Sequence, residues 1–128
     1  MTTDPVTQFT QERRERLQSY GADAPFVALS RDWLQASMQR KYVYNFDWMG
    51  RPIIQYPQDM VAMQELVWQV RPDLIIETGI AHGGSLVLSA SLLAMLDMCD
   101  AIEAGVTIDP RRSQRKVIGV DIDIRAHN

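Results

Sequence analysis

Only one cysteine, Cys99, occurs in 128 residues, so no disulfide can form within the chain and nothing in it calls for an oxidising compartment. An excess of positive charge is lacking as well: 13 Lys plus Arg stand against 16 Asp plus Glu, a net charge of −3, and no basic stripe could neutralise a run of phosphates. Nucleic acid is therefore a poor partner. Long hydrophobic runs are also missing. The longest, residues 86–96, carries Ser89 and Ser91 and falls short of the roughly 18–20 apolar residues that a membrane span needs. Residues 1–16 mix Asp4, Glu12 and Glu15 with Arg13, Arg14 and Arg16 and have no apolar core of the kind a secretory signal requires. These absences lead to the expectation of a cytoplasmic protein with no membrane span. What is present, 46% hydrophobic and 23% charged residues, is the balance of one ordinary domain, and two will not fit. The seven methionines are scattered through apolar positions and suit core filling better than recognition.

No internal repeat or low-complexity stretch interrupts the chain, which divides near Pro57 into a helical and hairpin segment, residues 1–56, and an α/β unit, residues 57–128. Residues 9–20, charge-rich with Phe9, Leu17 and Tyr20 as sparse apolar positions, predict an exposed helix ended by Gly21. Residues 28–40 place Leu29, Trp33, Leu34 and Met38 near helical spacing and predict a second helix with Ser30 as its N-cap. Over residues 42–48 the period changes to two. Tyr42, Tyr44, Phe46 and Trp48 alternate with Val43, Asn45 and Asp47, which predicts a strand with one aromatic face. Met49, Gly50 and Arg51 then turn the chain and residues 52–56 return extended, giving a hairpin. Cross-strand packing that fastens this hairpin to the domain explains the aromatic ladder better than ligand stacking does.

Pro57 and Asp59 open a helix that runs through Val70 and is stopped by Arg71 and Pro72. Leu74, Ile75 and Ile76 form a continuous apolar run, the pattern of a strand buried on both faces of a parallel sheet, with Glu77 and Thr78 at its end. A glycine-bearing loop over residues 79–84, a strongly apolar helix from Ser85 to about Met98, and a second buried strand over residues 117–122 complete the order. Strand, loop, helix and strand make a βαβ unit with a right-handed crossover, so the fold class is α/β.

Chemistry concentrates in Glu77-Thr78-Gly79-Ile80-Ala81-His82-Gly83-Gly84-Ser85, between the first parallel strand and the helix that follows. Glycines let a backbone approach a ligand closely, and a helix N-terminus offers unpaired N–H groups with positive partial charge. The topology places any cofactor cavity at the C-terminal ends of the two strands. There Asp121, closing the second strand, can take both hydroxyls of a ribose. A dinucleotide site usually reads G-x-G-x-x-G, whereas here an acid precedes Gly79, Ala81 stands in the middle, and Gly83 and Gly84 follow. Glu77 would repel a pyrophosphate and favours a cationic group, for which the amino group of S-adenosylmethionine is the obvious candidate. A methyltransferase is thus favoured over a dehydrogenase, while a glycine loop that merely packs helix on strand stays open as an alternative.

Four stretches make a specific resemblance. Lys41-Tyr42-Val43-Tyr44-Asn45-Phe46-Asp47-Trp48, Pro52-Ile53-Ile54-Gln55, Arg71-Pro72-Asp73-Leu74-Ile75-Ile76 running on into the glycine loop through Ser85, and Asp121-Ile122-Asp123-Ile124-Arg125-Ala126-His127-Asn128 resemble the cephalosporin hydroxylase family, which includes rhamnosyl O-methyltransferases. The resemblance runs from about Trp33 to Asn128 and implies several things together. These are the first βαβ unit of a Rossmann-like class I methyltransferase fold, S-adenosylmethionine as cofactor, often Mg2+ in the full-length enzyme, and a sugar or other small-molecule hydroxyl as acceptor. By position it implies that Glu77, Gly79, Ala81 and Gly83 belong to the S-adenosylmethionine loop and that Asp121 holds the ribose. His82 sits in the same loop, where it either contacts cofactor or acceptor or orders the turn; with no second His or Cys nearby in sequence it is not expected to be a metal ligand. Some members are oligomers, so a homo-oligomer is expected.

Asp121 and Asp123 also spell D-x-D after an apolar strand, the pattern with which glycosyltransferases hold a metal and a nucleotide sugar, and this is the chemical runner-up. Arg111, Arg112, Arg115 and Lys116 form a basic cluster, but they follow Asp97, Asp100, Glu103 and Asp109, so a self-compensating solvated loop is expected. A complete class I methyltransferase has further strands that carry metal-binding acids and the base. The expectation is therefore an N-terminal cofactor-binding part, truncated after the second strand, with an open sheet edge and an uncovered apolar face. A non-catalytic, self-associating fragment is the alternative.

Overall fold

Asp4 sets the start of the first helix, earlier than the apolar pattern alone predicts. In the computed structural model, which describes residues 4–127, its carboxylate accepts the Thr7 amide at 2.9 Å and Pro5 preorganises the first turn, so that α1 runs Pro5–Tyr20. Helix α2 spans Ala24–Gln39 and is capped by Asp23, which accepts the Phe26 amide at 3.0 Å. Ser30, the expected cap, lies inside this helix and donates to the Phe26 carbonyl at 2.8 Å. An acid followed by Ala24 and Pro25 starts the helix upstream of the first regularly spaced apolar residues. The two helices form one compact unit, Met1–Arg40.

The second unit, Lys41–Asn128, contains the hairpin together with the α/β elements, so the observed boundary precedes the hairpin instead of following it at Pro57. The reason is packing: Ile53 of the hairpin joins Val67, Leu88, Leu92, Leu93 and Leu96 in a single core, with Phe46 and Trp48 laid against it. Strands β1 (Phe46–Trp48) and β2 (Arg51–Ile53) pair antiparallel across Met49 and Gly50, both at positive φ (49° and 81°), as a two-residue turn of the right twist demands. The alternating aromatic strand is shorter than expected. Lys41 adopts a left-handed φ of 53°, Tyr42–Tyr44 form a 3-10 turn, and the Asn45 side chain donates to the carbonyls of Lys41 and Tyr42, which removes those residues from the ladder. Tyr42 packs edge-on against Phe46 instead.

Helix α3 (Pro57–Val70) leads through Arg71, at φ 49°, to β3 (Leu74–Thr78). Helix α4 (Gly84–Ala104) then crosses to β4 (Lys116–Val120), which lies parallel to β3 with Ile75 opposite Val117 and Glu77 opposite Gly119. This is the expected βαβ connection, and it makes the unit α/β. Two features differ from expectation. Burial alternates along both strands, with Ile75 and Val117 turned to the core and Leu74, Ile76, Ile118 and Val120 exposed, because only one face is covered by α4. Helix α4 also runs on past Met98 to a left-handed Gly105, where the Val106 amide reaches back to the Ala101 carbonyl at 3.0 Å. At 21 residues it is long and apolar enough to cross a membrane by length and composition, although no single apolar run in the sequence is. Here its Leu88, Leu92, Leu93 and Leu96 face the core.

Candidate functional site

At the end of β3 the chain makes a tight, backbone-rich loop. Gly79 (φ 78°) donates to the Val120 carbonyl at 2.9 Å, Ala81 follows at φ 46°, and Gly83 (φ 81°) donates to the Ile80 carbonyl at 2.7 Å before serving as the N-cap of α4. Gly83 has no side chain with which to cap, so the first-turn amides of α4 receive no side-chain acceptor from it. Ile80, buried between, needs the space above Gly119: a Cβ there would meet Ile80 Cγ2 and Leu86 Cδ1, each at 2.8 Å.

Asp121 lies just beyond β4 and braces this loop. One carboxylate oxygen accepts the Ile80 amide at 2.7 Å and the other the Asp123 amide at 3.0 Å. The Asp123 amide foremost, then that of Ile80, holds the Asp121 carboxyl below its ordinary value. Asp123 in turn pairs with Arg125 at 3.3 Å. The two carboxylates of D-x-D are thus engaged with separate partners, and among the described residues no three His, Cys, Asp or Glu side chains converge to hold a metal ion.

A cleft of about 460 Å3 opens beside the loop, within the range typical of small-molecule sites. Its walls come from the end of β3 and the loop, the first two turns of α4, β2 with the residues after it, and α3. Of the residues singled out by sequence, Glu77, Gly79, Ala81 and His82 line it together. Gly83 and Asp121 do not: Gly83 lies beneath as the helix cap, and Asp121 is turned to the loop amides. The cleft is therefore built on β3 and the hairpin side, not shared between the ends of both parallel strands. Ser85 donates to Glu77 Oε1 and so fixes the carboxylate that faces the opening.

Sequence reasoning missed three contributors. Arg51, treated as part of a turn, donates from Nη1 to the carbonyls of His82 (3.3 Å) and His127, tying hairpin, loop and the residues after β4 together. The rings of His82 and His127 meet through Nδ1 and Nε2 at 3.3 Å, which favours the turn-ordering reading of His82. Ser89 lines the cleft one helical turn beyond Ser85. The basic cluster is charge-compensated at its three arginines, but only Arg111 and Arg112 are solvated, because Arg115 is packed into its ion pairs. Arg115 lies between Asp97 and Asp100, and its guanidinium holds the Asp100 carboxyl below its usual value, while Arg111 and Arg112 face Asp109.

The profile of the rhamnosyl O-methyltransferase/CmcI family matches residues 40–128. The chain belongs to this family. No curated protein and no solved structure matches it. Membership places the chain among O-methyltransferases of the CmcI type, within the cephalosporin hydroxylase family, and methyltransferases in general use S-adenosylmethionine. The matched region coincides almost residue for residue with the second compact unit.

Proposed function

We propose that the cleft beside Gly79 binds S-adenosylmethionine for transfer of its methyl group to a sugar or other small-molecule hydroxyl, within a Rossmann-like class I fold. One observation carries this reading. In a member of an O-methyltransferase family, the Glu77 carboxylate, held by Ser85, lines a cleft together with the amide-rich start of a helix. An ammonium suits the first and a carboxylate the second, and an α-amino acid offers both. The fit is also steric: a Cβ at Gly79 would meet nothing within 4 Å, so open space lies where a ligand would pass. When bound, the cofactor supplies an electrophilic methyl group. The residues described here bind and orient, with Glu77 held by Ser85 and the loop held by Asp121, whose support of the ribose would require it to accept further hydroxyl groups. The acid residues described do not fit a Mg2+ site, and no step is assigned to that ion.

Titration calorimetry with S-adenosylmethionine and S-adenosylhomocysteine, on wild type and Gly79→Val, tests the proposal. A β-branched residue at φ 78° is strained by about 1–3 kcal/mol and intrudes on the open space, so binding should be lost while the core stays folded. Wild-type affinity in the variant refutes the assignment.

A second reading, self-association without methyl transfer, draws support from the outer face of the sheet. Ile76, Ile118 and Val120 are 62%, 47% and 52% exposed side by side on β3 and β4. Contiguous apolar surface of this kind favours a homo-oligomer.

A further inference from the structure

Both histidines of the chain meet in one contact. His82, half-buried, stands in the loop that walls the cleft, and His127 stands in the exposed segment after β4, 45 residues away. His82 Nδ1 and His127 Nε2 approach to 3.3 Å, while the ring centroids are 5.5 Å apart and the ring planes differ by 28°. The excess of the second distance over the first is nearly two ring radii, so the rings meet end to end. That is the arrangement of an N–H donating to a ring nitrogen. Arg51 closes the contact from β2, donating from Nη1 to the backbone carbonyls of both histidines.

End to end, the pair has room for one proton between its facing nitrogens. With both rings neutral, one N–H donates and the other nitrogen accepts; with one ring charged, the same bond is kept and strengthened. A further proton sets N–H against N–H and brings two imidazolium rings together beside the Arg51 guanidinium. The surrounding acids do not offset this. Glu77 on β3 is engaged by Ser85, Asp121 by the amides of Ile80 and Asp123, and Asp123 by Arg125, while Asp59 of α3 lines the cleft. Helix α4 adds no charged side chain to the cleft, and among the described residues no carboxylate is hydrogen-bonded to either ring. Histidine is the side chain that ordinarily changes charge between about pH 5 and 8, so such a contact is made or broken within that range.

We infer that His127 is a positioning residue of the cleft: through the proton it shares with His82 it holds the loop over residues 79–83 against the segment after β4, and charging both rings releases the loop and weakens the ligand. What is positioned rests on the donor-binding reading above; the shared proton does not. The Arg51 clamp survives the release, so the loop loosens without unfolding.

Imidazole NMR of the full chain between about pH 5 and 8 tests the shared proton with no ligand present, and with two histidines in the chain one variant assigns the signals. The coupled rings should titrate in two separated steps, and His127→Ala should leave His82 with a single step. A His82 curve that is the same in wild type and His127→Ala overturns the inference. Titration calorimetry with S-adenosylhomocysteine over the same range tests the positioning. Wild type should bind about threefold to tenfold more weakly once both rings are charged, the effect of one lost hydrogen bond. His127→Ala should bind that weakly already at about pH 8 and stay within about twofold across the range. His127→Gln, whose amide accepts from or donates to His82 in either charge state, should restore the tight affinity and keep it in acid. A wild-type affinity independent of pH overturns the inference while leaving the donor-binding reading intact. So does a wild-type profile in His127→Ala, where His82 still titrates and the profile would come from its charge and not from the tie. Failure of wild type to bind S-adenosylhomocysteine at any pH overturns the donor-binding reading and the positioning together, and is told apart by the coupled titration, which remains.

Discussion

Replacing Gly84 with alanine should unseat the hairpin from the helix that carries the cleft. A Cβ at this position would lie 2.2 Å from the Pro52 carbonyl oxygen, 2.7 Å from its carbon and 2.8 Å from Ile53 Cα, against an ordinary contact of 3.4–4 Å. All three obstacles are backbone atoms of β2, so no side chain can rotate away, and strand or helix must shift by about 1 Å. Ile53, only 1% exposed and central to the core, moves with the strand. Overpacking of this kind costs about 1–3 kcal/mol, and partial loss of the Ile53 contacts adds about 1 kcal/mol. The better helix propensity of alanine returns about 1 kcal/mol at most. A net loss of about 2–3 kcal/mol follows, read as a lower urea midpoint with unchanged slope in tryptophan fluorescence, since Trp48 and Trp68 lie in this unit. Gly21→Ala is the internal control. With φ −66° and nothing within 4 Å of a Cβ there, it should be neutral or stabilising by up to about 1 kcal/mol. A wild-type midpoint for Gly84→Ala would show that α4 does not approach β2 as closely as described.

Asp121→Asn should lower the melting temperature at neutral pH, because an amide NH2 is brought against the loop N–H donors. The folded carboxyl is held below its unfolded value of about 3.9, so its stabilisation is present above that pH and is lost as the pH falls through the folded value. The gap between wild type and variant should therefore close in acid, and a gap of constant size from neutral pH down would refute the brace. Association through the sheet face is checked by sedimentation: wild type should self-associate, Ile118→Lys should sediment as a monomer, and a wild type that stays monomeric at all concentrations rules that surface out.

The elements with local signals were legible in the sequence. The turn at Gly50, the helix opened by Pro57, the strand at Ile75 and the glycine loop are each written in a few adjacent residues. The helix starts were misplaced because apolar spacing was weighed above capping. Asp4 and Asp23 stand outside the periodic region but supply the first acceptors for free amides. The aromatic alternation at residues 42–48 misled for the opposite reason, since a left-handed Lys41 and the Asn45 side chain override a period of two. Within the site, Glu77, Gly79, Ala81 and His82 were recoverable because they are consecutive or nearly so. The bracing position of Asp121 and the contributions of Arg51, Gly84 and Ser89 depend on which segments meet, and short-range pattern does not contain that information.

The meeting of those segments explains why the family match includes the hairpin. Arg51 reaches the carbonyls of His82 and His127, the Pro52 backbone abuts Gly84, Trp48 Nε1 donates to Ser91 at 3.1 Å, and Asp121 holds Ile80. The Pro52–Gly84 and Asp121–Ile80 contacts each join two of the stretches that carry the resemblance, and Arg51, which lies between two of them, reaches the other two at sequence separations of 31 and 76 residues. A glycine loop that only packed helix on strand would need none of them, because Gly119 and Ile80 already provide that packing. The additional ties fix the loop from the hairpin side, where the cleft lies, and from the β4 side, where Asp121 lies. Such bracing keeps backbone amides and the Glu77 carboxylate in place before a ligand arrives, which lowers the ordering cost of binding. The hairpin side is accordingly one wall of the cleft, to which Pro52, Ile54 and Gln55 contribute.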